Sequence, residues 1–204
     1  LNRISRKVIK LLSDGPDSAF NTVRSICQDT SGRIWAATLN DRLGFLGPEG
    51  WVAVSEEKNW PGGGVSSVAA APDGAVWIGT SGGMLHRLKD GVYATYRQSD
   101  GLAGQDVHAL CVTPNGDVWM SLRRPYAIQR LSQNRFHTFP VPPKIRVVQA
   151  LIADSAGDVW SGSSSGLLLR FRGDEMIDES SRLPTVTSSI RSLHADADGL
   201  WIGF

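Results

Sequence analysis

APDGAVWIGT, residues 71–80, is the clearest copy of a pattern that this 204-residue chain repeats five times. A turn glycine marks each copy, and a tryptophan follows it two or three residues later. The tryptophans are Trp35, Trp77, Trp119, Trp160 and Trp201, with spacings of 42, 42, 41 and 41 residues. So regular a period, in a unit too small to bury its own apolar face, indicates a repeat architecture in which neighbouring units complete one another's core.

A second set of aligned positions lies upstream of each turn. A β-branched residue opens the set and a small residue follows two positions later, as at Val65 and Ser67. The other opening residues are Val23, Val107, Val148 and Ile190. Short apolar runs of this kind, closed by Asp-Gly turn chemistry and followed by the tryptophan run, predict a β-hairpin in each repeat.

Two further strands follow each hairpin. One contains an apolar-x-Arg step, as in residues 85–87 and 128–130, and the other is aromatic, as in residues 93–96 and 136–139. Four short strands in about 42 residues are the size of one β-propeller blade. We therefore predict an all-β fold, a β-propeller fragment of four-stranded blades.

The predicted propeller is a single partial domain spanning residues 1–204. Its four whole blades are residues 20–61, 62–103, 104–143 and 144–184, with half blades at 1–19 and 185–204. The first methionine is Met84 and the chain ends within the fifth tryptophan strand, so we expect a piece of a longer protein. The alternative that the two half blades pair and close a five-bladed ring stays open.

The aromatic and cysteine side chains are assigned mainly to packing. Blades splay apart outward, and a flat indole that buries about 150–250 Å² fills such a wedge, so the five aligned tryptophans are predicted to lie in the core. Trp51 and Trp60 stand outside the pattern and are the two expected at the surface. Cys27 and Cys111 share one repeat position that also accepts alanine and isoleucine, which indicates buried, unreactive thiols.

The overall composition excludes several classes of function. A hydrophobic content of 41% with 20% charged residues is ordinary for a soluble globular protein. A net charge of +1 gives no electrostatic basis for binding nucleic acid. No apolar run approaches the roughly 18 residues of a membrane span, so no membrane contact by this segment is expected.

The repeat resembles the two-component regulator propeller family. Residues 65–80, the Gly-Gly step at 82–83 and Asp-Gly-Leu at 100–102 carry the resemblance, and residues 190–203 repeat it. Blade 1 departs from it at Phe45, where arginine is expected, and blade 3 departs from it over residues 121–126. The resemblance implies a bacterial sensor region, extracytoplasmic (periplasmic), joined in the same parent chain to a histidine kinase or other output domain.

A second resemblance is to propellers of the streptogramin lyase type, whose blades also carry an Asp-Gly-x-Leu-Trp turn. The third strand of those blades reads Ile-Gly-Arg, which this chain approaches only at residues 43–45. This resemblance implies an enzyme, with a histidine and an acidic residue on the loop face.

Candidate binding residues lie in loops that break the repeat. In an antiparallel blade, the loops between second and third strands share one face with the connections between blades. Irregular residues on that face are Asn40, Asp41, Arg42, Trp60, Arg123, Arg124 and Tyr126. Guanidinium groups pair with carboxylate or phosphate and an aromatic ring stacks on a sugar, so we expect a small-molecule or carbohydrate-like ligand. The alternative is that these residues are only solvated loops.

The sequence offers no catalytic or metal-binding set. The four histidines occupy different repeat positions without metal-ligand spacing. Nucleophile-elbow and phosphate-loop motifs are absent from the required contexts. We therefore predict a non-enzymatic sensing or interaction module with no metal or cofactor. A propeller lyase and a purely structural interaction scaffold are the alternatives.

Overall fold

The computed structural model describes residues 20, 22–55, 57–145, 147–183 and 188–204. In this part of the chain the strands form four four-stranded antiparallel sheets and one two-stranded sheet. The predicted all-β propeller fold is confirmed. The half blade predicted at residues 1–19, and the ring closure that would use it, lie outside the described residues.

Each sheet is one blade, and its strands pair in chain order from the channel outward. Blade 1 contains β1 (Val23–Gln28), β2 (Ile34–Thr38), β3 (Leu43–Gly47) and β4 (Gly50–Ala53). Blade 2 contains β5 (Val65–Ala70), β6 (Val76–Thr80), β7 (Leu85–Lys89) and β8 (Val92–Tyr96). Blade 3 contains β9 (Asp106–Val112), β10 (Val118–Arg123), β11 (Ala127–Ser132) and β12 (Arg135–Phe139). Blade 4 contains β13 (Val148–Ala153), β14 (Val159–Ser163), β15 (Leu168–Arg172) and β16 (Glu175–Asp178). Blade 5 contains β17 (Ser192–Asp196) and β18 (Gly199–Gly203). Short 3₁₀ helices follow blades 2 and 4, at Gln98–Asp100 and Ser180–Arg182.

The turn glycines explain why the repeat is visible in the sequence. Between the first and second strands of blades 1 to 4 they are Gly32, Gly74, Gly116 and Gly157, with φ of 84°, 84°, 89° and 88°. Side chains with a Cβ rarely adopt this left-handed region, so each hairpin needs glycine there.

The five blades form an arc around a central channel. The first strands of all five contribute to the lining of one cavity of about 540 Å³. Among the described residues, no strand pairing joins the fifth blade back to the first. The sheets therefore do not close into a ring in this part of the chain.

The core consists of clusters between neighbouring blades. Trp35 packs in a cluster with Val65 and Val68 of blade 2, whereas Trp119 packs with Val148 and Phe171 of blade 4. Trp77 lies in the corresponding cluster between blades 2 and 3. Each of these tryptophans thus fills the interface with the following blade, as the repeat predicted.

Two expectations about tryptophan burial are corrected. Trp201 is 60% exposed, and Trp160 is only half-buried. Because each aligned tryptophan packs on the next blade, Trp201 is uncovered where no described blade follows. Conversely, Trp51 stacks on Phe20 with ring centres 4.8 Å apart, and Trp60 lies half-buried between blades.

Serine hydroxyls join blades that share no backbone ladder. Ser66 and Ser67 of blade 2 both donate to the carbonyl of Val107 in blade 3, at 2.5 and 3.1 Å. Ser121 of blade 3 donates in the same way to the carbonyl of Val148, at 3.2 Å. Small residues near the channel therefore satisfy carbonyls across the blade interfaces.

Arginines of the third strands lie over the tryptophans of the second. The distances from guanidinium carbon to ring centre are 6.0 Å for Arg87 and Trp77, 5.6 Å for Arg130 and Trp119, and 4.9 Å for Arg170 and Trp160. In blade 1 Phe45 takes the arginine position and Arg33 lies over Phe45, at 4.7 Å. Blade 1 therefore departs from the repeat at Phe45 but keeps a cation–π contact, because its arginine comes from position 33 and the ring from position 45.

Candidate functional site

A β-bulge interrupts the innermost strand of each four-stranded blade at the same place. Strand pairing skips one residue after Val23, Val65, Val107 and Val148. The skipped residues are Arg24, Ser66, His108 and Gln149. A bulge leaves its extra residue out of the ladder and redirects its side chain. All four residues line the central channel, and we call them the bulge ring.

The bulge ring lies at the face where the predicted binding loops gather. Connections between blades bond there to loops between second and third strands. Val65 N–H donates to the carbonyl of Asp41 at 3.3 Å, and Gln105 N–H donates to that of Arg123 at 3.1 Å. The sharing of one face by these two sets of loops is thus confirmed, and the ring marks the channel mouth on that face.

Two arginines flank one imidazole at this mouth. Arg24 Nη2 lies 3.1 Å from His108 Nδ1, and Arg123 Nη2 lies 3.0 Å from His108 Nε2. A neutral imidazole has one acceptor nitrogen and one N–H, while guanidinium only donates. Only one of the two contacts is therefore a hydrogen bond, and the cluster holds more donors than acceptors.

The one acidic neighbour leaves part of the cluster unsatisfied. Asp106, with a side chain 9% exposed, places Oδ2 3.8 Å from Arg123 Nη1. Its Oδ1 and the Nε of Arg123 are buried without a hydrogen-bond partner among the described residues. Buried polar atoms without partners are rare in folded proteins, so this pair is the least satisfied part of the cluster.

On the neighbouring blade 4, Gln149 is bonded to a residue that precedes β17 of blade 5. Ser189 Oγ donates to Gln149 Oε1 at 2.5 Å. The bond occupies the acceptor of the amide group, and the donating nitrogen remains for a ligand. Donors from three blades thus face one opening.

The surroundings hold His108 in its neutral form. Burial lowers the pKa of His108 to about 4, and the charges of Arg123 and Arg24 act in the same direction against a smaller opposing effect of Asp106. At pH 7 the cluster therefore has two guanidinium charges, one carboxylate and an uncharged imidazole.

This depressed pKa predicts a loss of stability in mild acid. In the unfolded chain the histidine has a pKa near 6.5 and is protonated below that pH. In the folded chain His108 does not bind a proton until about pH 4. Stability is therefore complete above pH 6.5 and falls as the pH drops from 6.5 towards 4. After discounting for solvent screening, we expect a loss of about 1 kcal/mol between pH 7 and pH 5.

Urea denaturation at both pH values measures this loss. His108→Asn is expected to remove most of it, whereas His194→Asn, at a side chain 70% exposed, retains it. An unchanged pH dependence in His108→Asn contradicts the assignment to His108.

Three predicted site residues lie at the end of blade 3. Arg123 ends β10 and contacts the bulge ring through His108. Arg124 follows with φ of 54°, and the side chain of Tyr126 is 47% exposed. Arg123 therefore belongs to the channel-mouth cluster, and the other two lie in the loop beside it.

The remaining predicted residues lie between blades 1 and 2. Asn40, Asp41 and Arg42 form the turn from β2 to β3, closed by Thr38 N–H donating to the Arg42 carbonyl at 3.0 Å. Trp60 makes edge contacts with the rings of His86 and Tyr93, at 5.3 and 5.7 Å. Trp60 is thus half-buried between blades 1 and 2, away from the bulge ring.

The sequence reasoning missed the bulge ring. Its signal is a polar residue at the second position of each Val-x-Ser or Val-x-Ala step, between apolar or small neighbours. In the sequence, nothing about the position of His108 distinguishes it from the other three histidines. His86, by contrast, is fully buried and bonds Thr95 Oγ1 and the Gly62 carbonyl, at 2.9 and 3.0 Å, which makes it structural.

Other kinds of site find no support in the described ranges. No group of three or more His, Cys, Asp or Glu side chains there is placed to hold a metal ion. Cys27 and Cys111 are free thiols, and burial raises the pKa of Cys27 to about 12. No helix in the described part of the chain is long and apolar enough to cross a membrane.

Residues 17–40 match the family model described as a two component regulator propeller. This chain carries a two-component regulator propeller repeat. The matched repeat includes β1, β2 and the bulge residue Arg24, so one arginine of the channel mouth lies within it. Comparison with curated proteins gives no match.

Several solved structures resemble this chain in fold. The extracellular domain of a hybrid two component system from B. thetaiotaomicron has a TM-score of 0.66 at 20% identity, covering 93% of this chain and 27% of its own. A catalytically inactive virginiamycin B lyase from Staphylococcus aureus with quinupristin gives 0.74 at 18% identity, covering 91% and 64%. A streptogramin B lyase gives 0.73 at 21% identity, covering 93% and 63%.

These similarities support the propeller fold of this chain. All identities are below 25%, so activity and ligands do not transfer from them. The chain also spans less than two thirds of either lyase and about a quarter of the two-component system domain.

Proposed function

We propose that this chain is part of the sensor propeller of a bacterial two-component signal-transduction protein, that it recognises a ligand at the channel mouth and that it is not itself catalytic. The observation that carries the proposal is the bulge ring with Arg123. It places polar side chains from several blades around one opening, next to two unpartnered buried atoms of blade 3, within a chain that carries the regulator propeller repeat. Rigid strands with exposed polar ends are suited to recognition.

The sensor role rests on the regulator repeat and on similarity to the extracellular domain of a hybrid two component system. On this proposal the propeller lies outside the cytoplasm, in the periplasm. Its main partner is an output kinase domain in the same parent chain. Occupancy of the channel mouth changes the signal passed to that domain.

The lyase alternative is favoured by one observation, the presence of Asp106 and His108 together at the channel mouth. The local geometry is poor for catalysis, however. A general base needs a free lone pair, and both ring nitrogens of His108 face guanidinium groups. A pKa near 4 also makes this imidazole a weak base at neutral pH.

Two measurements distinguish the sensor from the lyase: the turnover of a lyase substrate and the domain content of the parent protein. We expect no breakdown of quinupristin when it is incubated with the purified chain and followed by mass spectrometry. The parent coding sequence is expected to contain a membrane helix followed by a histidine kinase or other output domain. Product formation that His108→Ala abolishes would instead support a lyase.

The scaffold alternative differs from the sensor in ligand response. A purely structural propeller shows no small-molecule binding, and its parent protein gives the same output with or without added compounds. A reporter under control of the parent protein, tested with small acidic and neutral sugars, separates these cases. A response abolished by changes in the bulge ring supports the sensor.

A further inference from the structure

We propose that the channel mouth binds a small ligand through an oxyanion group, a carboxylate, sulfate or phosphate, held between Arg24 and Arg123 with His108 and Gln149 as neutral donors. This inference rests on the proposed function because it assigns the chemical class of the ligand at that site. It needs no bond-making step.

The balance of donors and acceptors is the first argument. Arg24 and Arg123 bring guanidinium donors to an imidazole that accepts from only one of them. Arg123 Nε is buried without a partner, and Gln149 has its acceptor occupied by Ser189. One acceptor, Asp106 Oδ1, is also unpartnered, but the donors of the two guanidinium groups and of Gln149 outnumber it. An oxyanion supplies two or three acceptor oxygens and no donor when fully ionised.

The balance of charge points the same way. Arg123 has one partial counter-charge, Asp106, at 3.8 Å, and no carboxylate in the described ranges forms an ion pair with Arg24. The imidazole between the two guanidinium groups is uncharged at pH 7. Two cations brought together on one ring are stabilised by an anion placed between them, since each gains a charge-assisted hydrogen bond.

The space available sets the size of the ligand. The channel cavity of about 540 Å³ lies within the range of small-molecule sites. Away from the bulge ring its walls are mostly small or apolar, for example at Ser67, Ala109 and Ala150, and Gln28 is the polar exception. An acidic group at the mouth therefore leaves room for a compact organic body, such as one sugar ring.

Binding is expected to couple to protonation of His108. The charged groups that face this ring are Arg24 from β1, Arg123 from β10 and Asp106 from β9. An added anion favours the protonated imidazole, which donates from both nitrogens. Affinity for an anion that stays ionised therefore rises as the pH falls from 7 to 5.

The test is calorimetric titration of the full 204-residue chain with four probes: sulfate, inorganic phosphate, glucuronate and glucose, at constant ionic strength. We expect glucuronate to bind and glucose to bind at least about tenfold more weakly. Binding of sulfate or phosphate as strong as that of glucuronate identifies a free inorganic anion as the source of the group. If none of the three anions binds with a Kd below about 10 mM, the inference is overturned.

Matched variants locate the site. Arg24 is exposed, so Arg24→Gln is expected to fold and to weaken anion binding by about 10- to 100-fold. Arg135→Gln removes the same charge from an exposed position at the start of β12 and is expected to leave affinity unchanged. Equal losses in both variants overturn the assignment, because they indicate a long-range effect of charge. Circular dichroism verifies that each variant is folded, and Arg24→Lys is expected to lose less affinity than Arg24→Gln.

The two proposals fail in different ways. If the chain binds anions through Arg24 but its parent protein has no output domain, the proposed ligand class stands and the sensor role is wrong. Glucose binding equal to that of glucuronate, in a parent that has an output domain, retains the sensor role and overturns the ligand class.

Discussion

Trp119→Ala is expected to lower the free energy of unfolding by about 3–5 kcal/mol, the usual loss for a large aromatic side chain removed from a core. Trp119 is 3% exposed. Its ring stacks on Phe139 with centres 4.8 Å apart, and it lies 5.2 Å from Phe171 of the next blade. The substitution therefore opens a cavity at the interface of blades 3 and 4, where rigid strands on both sides limit collapse.

The matched control is Trp201→Ala. It makes the same chemical change at the same repeat position, but the ring is 60% exposed, so we expect a loss below about 1 kcal/mol. Urea denaturation followed by circular dichroism compares both variants with the wild type. Similar losses at the two positions contradict the conclusion that each tryptophan is stabilised by the blade that follows it.

The second large effect is expected from Gly162→Ala, at a loss of about 1–3 kcal/mol. Gly162 lies on β14 and faces Ile190, which is fully buried. A Cβ at Gly162 would lie 2.9 Å from the Cβ of Ile190 and closer still to its Cγ2. Ile190 is β-branched and packed, so the backbone has to shift and the contact between blades 4 and 5 is weakened.

Gly82→Ala is the control for this substitution. At Gly82 the nearest side-chain atom, Met84 Cε, would lie 3.9 Å from the new Cβ, an ordinary contact. We expect stability to be unchanged or raised by up to about 1 kcal/mol, because alanine restricts the unfolded chain. Thermal unfolding by calorimetry measures both variants. Equal stability of Gly162→Ala and the wild type indicates that blade 5 does not pack on blade 4 as described.

Much of the fold is accessible from the sequence because propeller blades repeat their physical requirements. The left-handed turn at Gly74 requires glycine, and the wedge beside Trp77 requires a large flat ring, so both recur at a fixed period. Burial of Trp201 is mispredicted for a related reason. The sequence pattern describes the blade that carries the indole, whereas burial depends on the neighbour that covers it.

The candidate site is less accessible because it depends on breaks in regular pairing. Arg123 is predictable because it breaks the repeat at the end of a strand, next to a loop. Arg24 and His108 are not, because alternation along a strand does not reveal which residue is left out of the ladder. A polar residue retained at one position in successive repeats, where neighbours are apolar, is the signal that detects such a site.

The bulge ring also separates recognition from folding. Arg24, His108 and Gln149 take no part in ladder pairing and lie outside the three buried clusters between blades. Their side chains can therefore change in size, charge or polarity while the tryptophans, glycines and serines that join the blades stay the same. With one such position in three of the four-stranded blades, the same scaffold can acquire a different chemical preference by a few substitutions, each at little cost in stability. Diversification by small independent steps is built into this geometry.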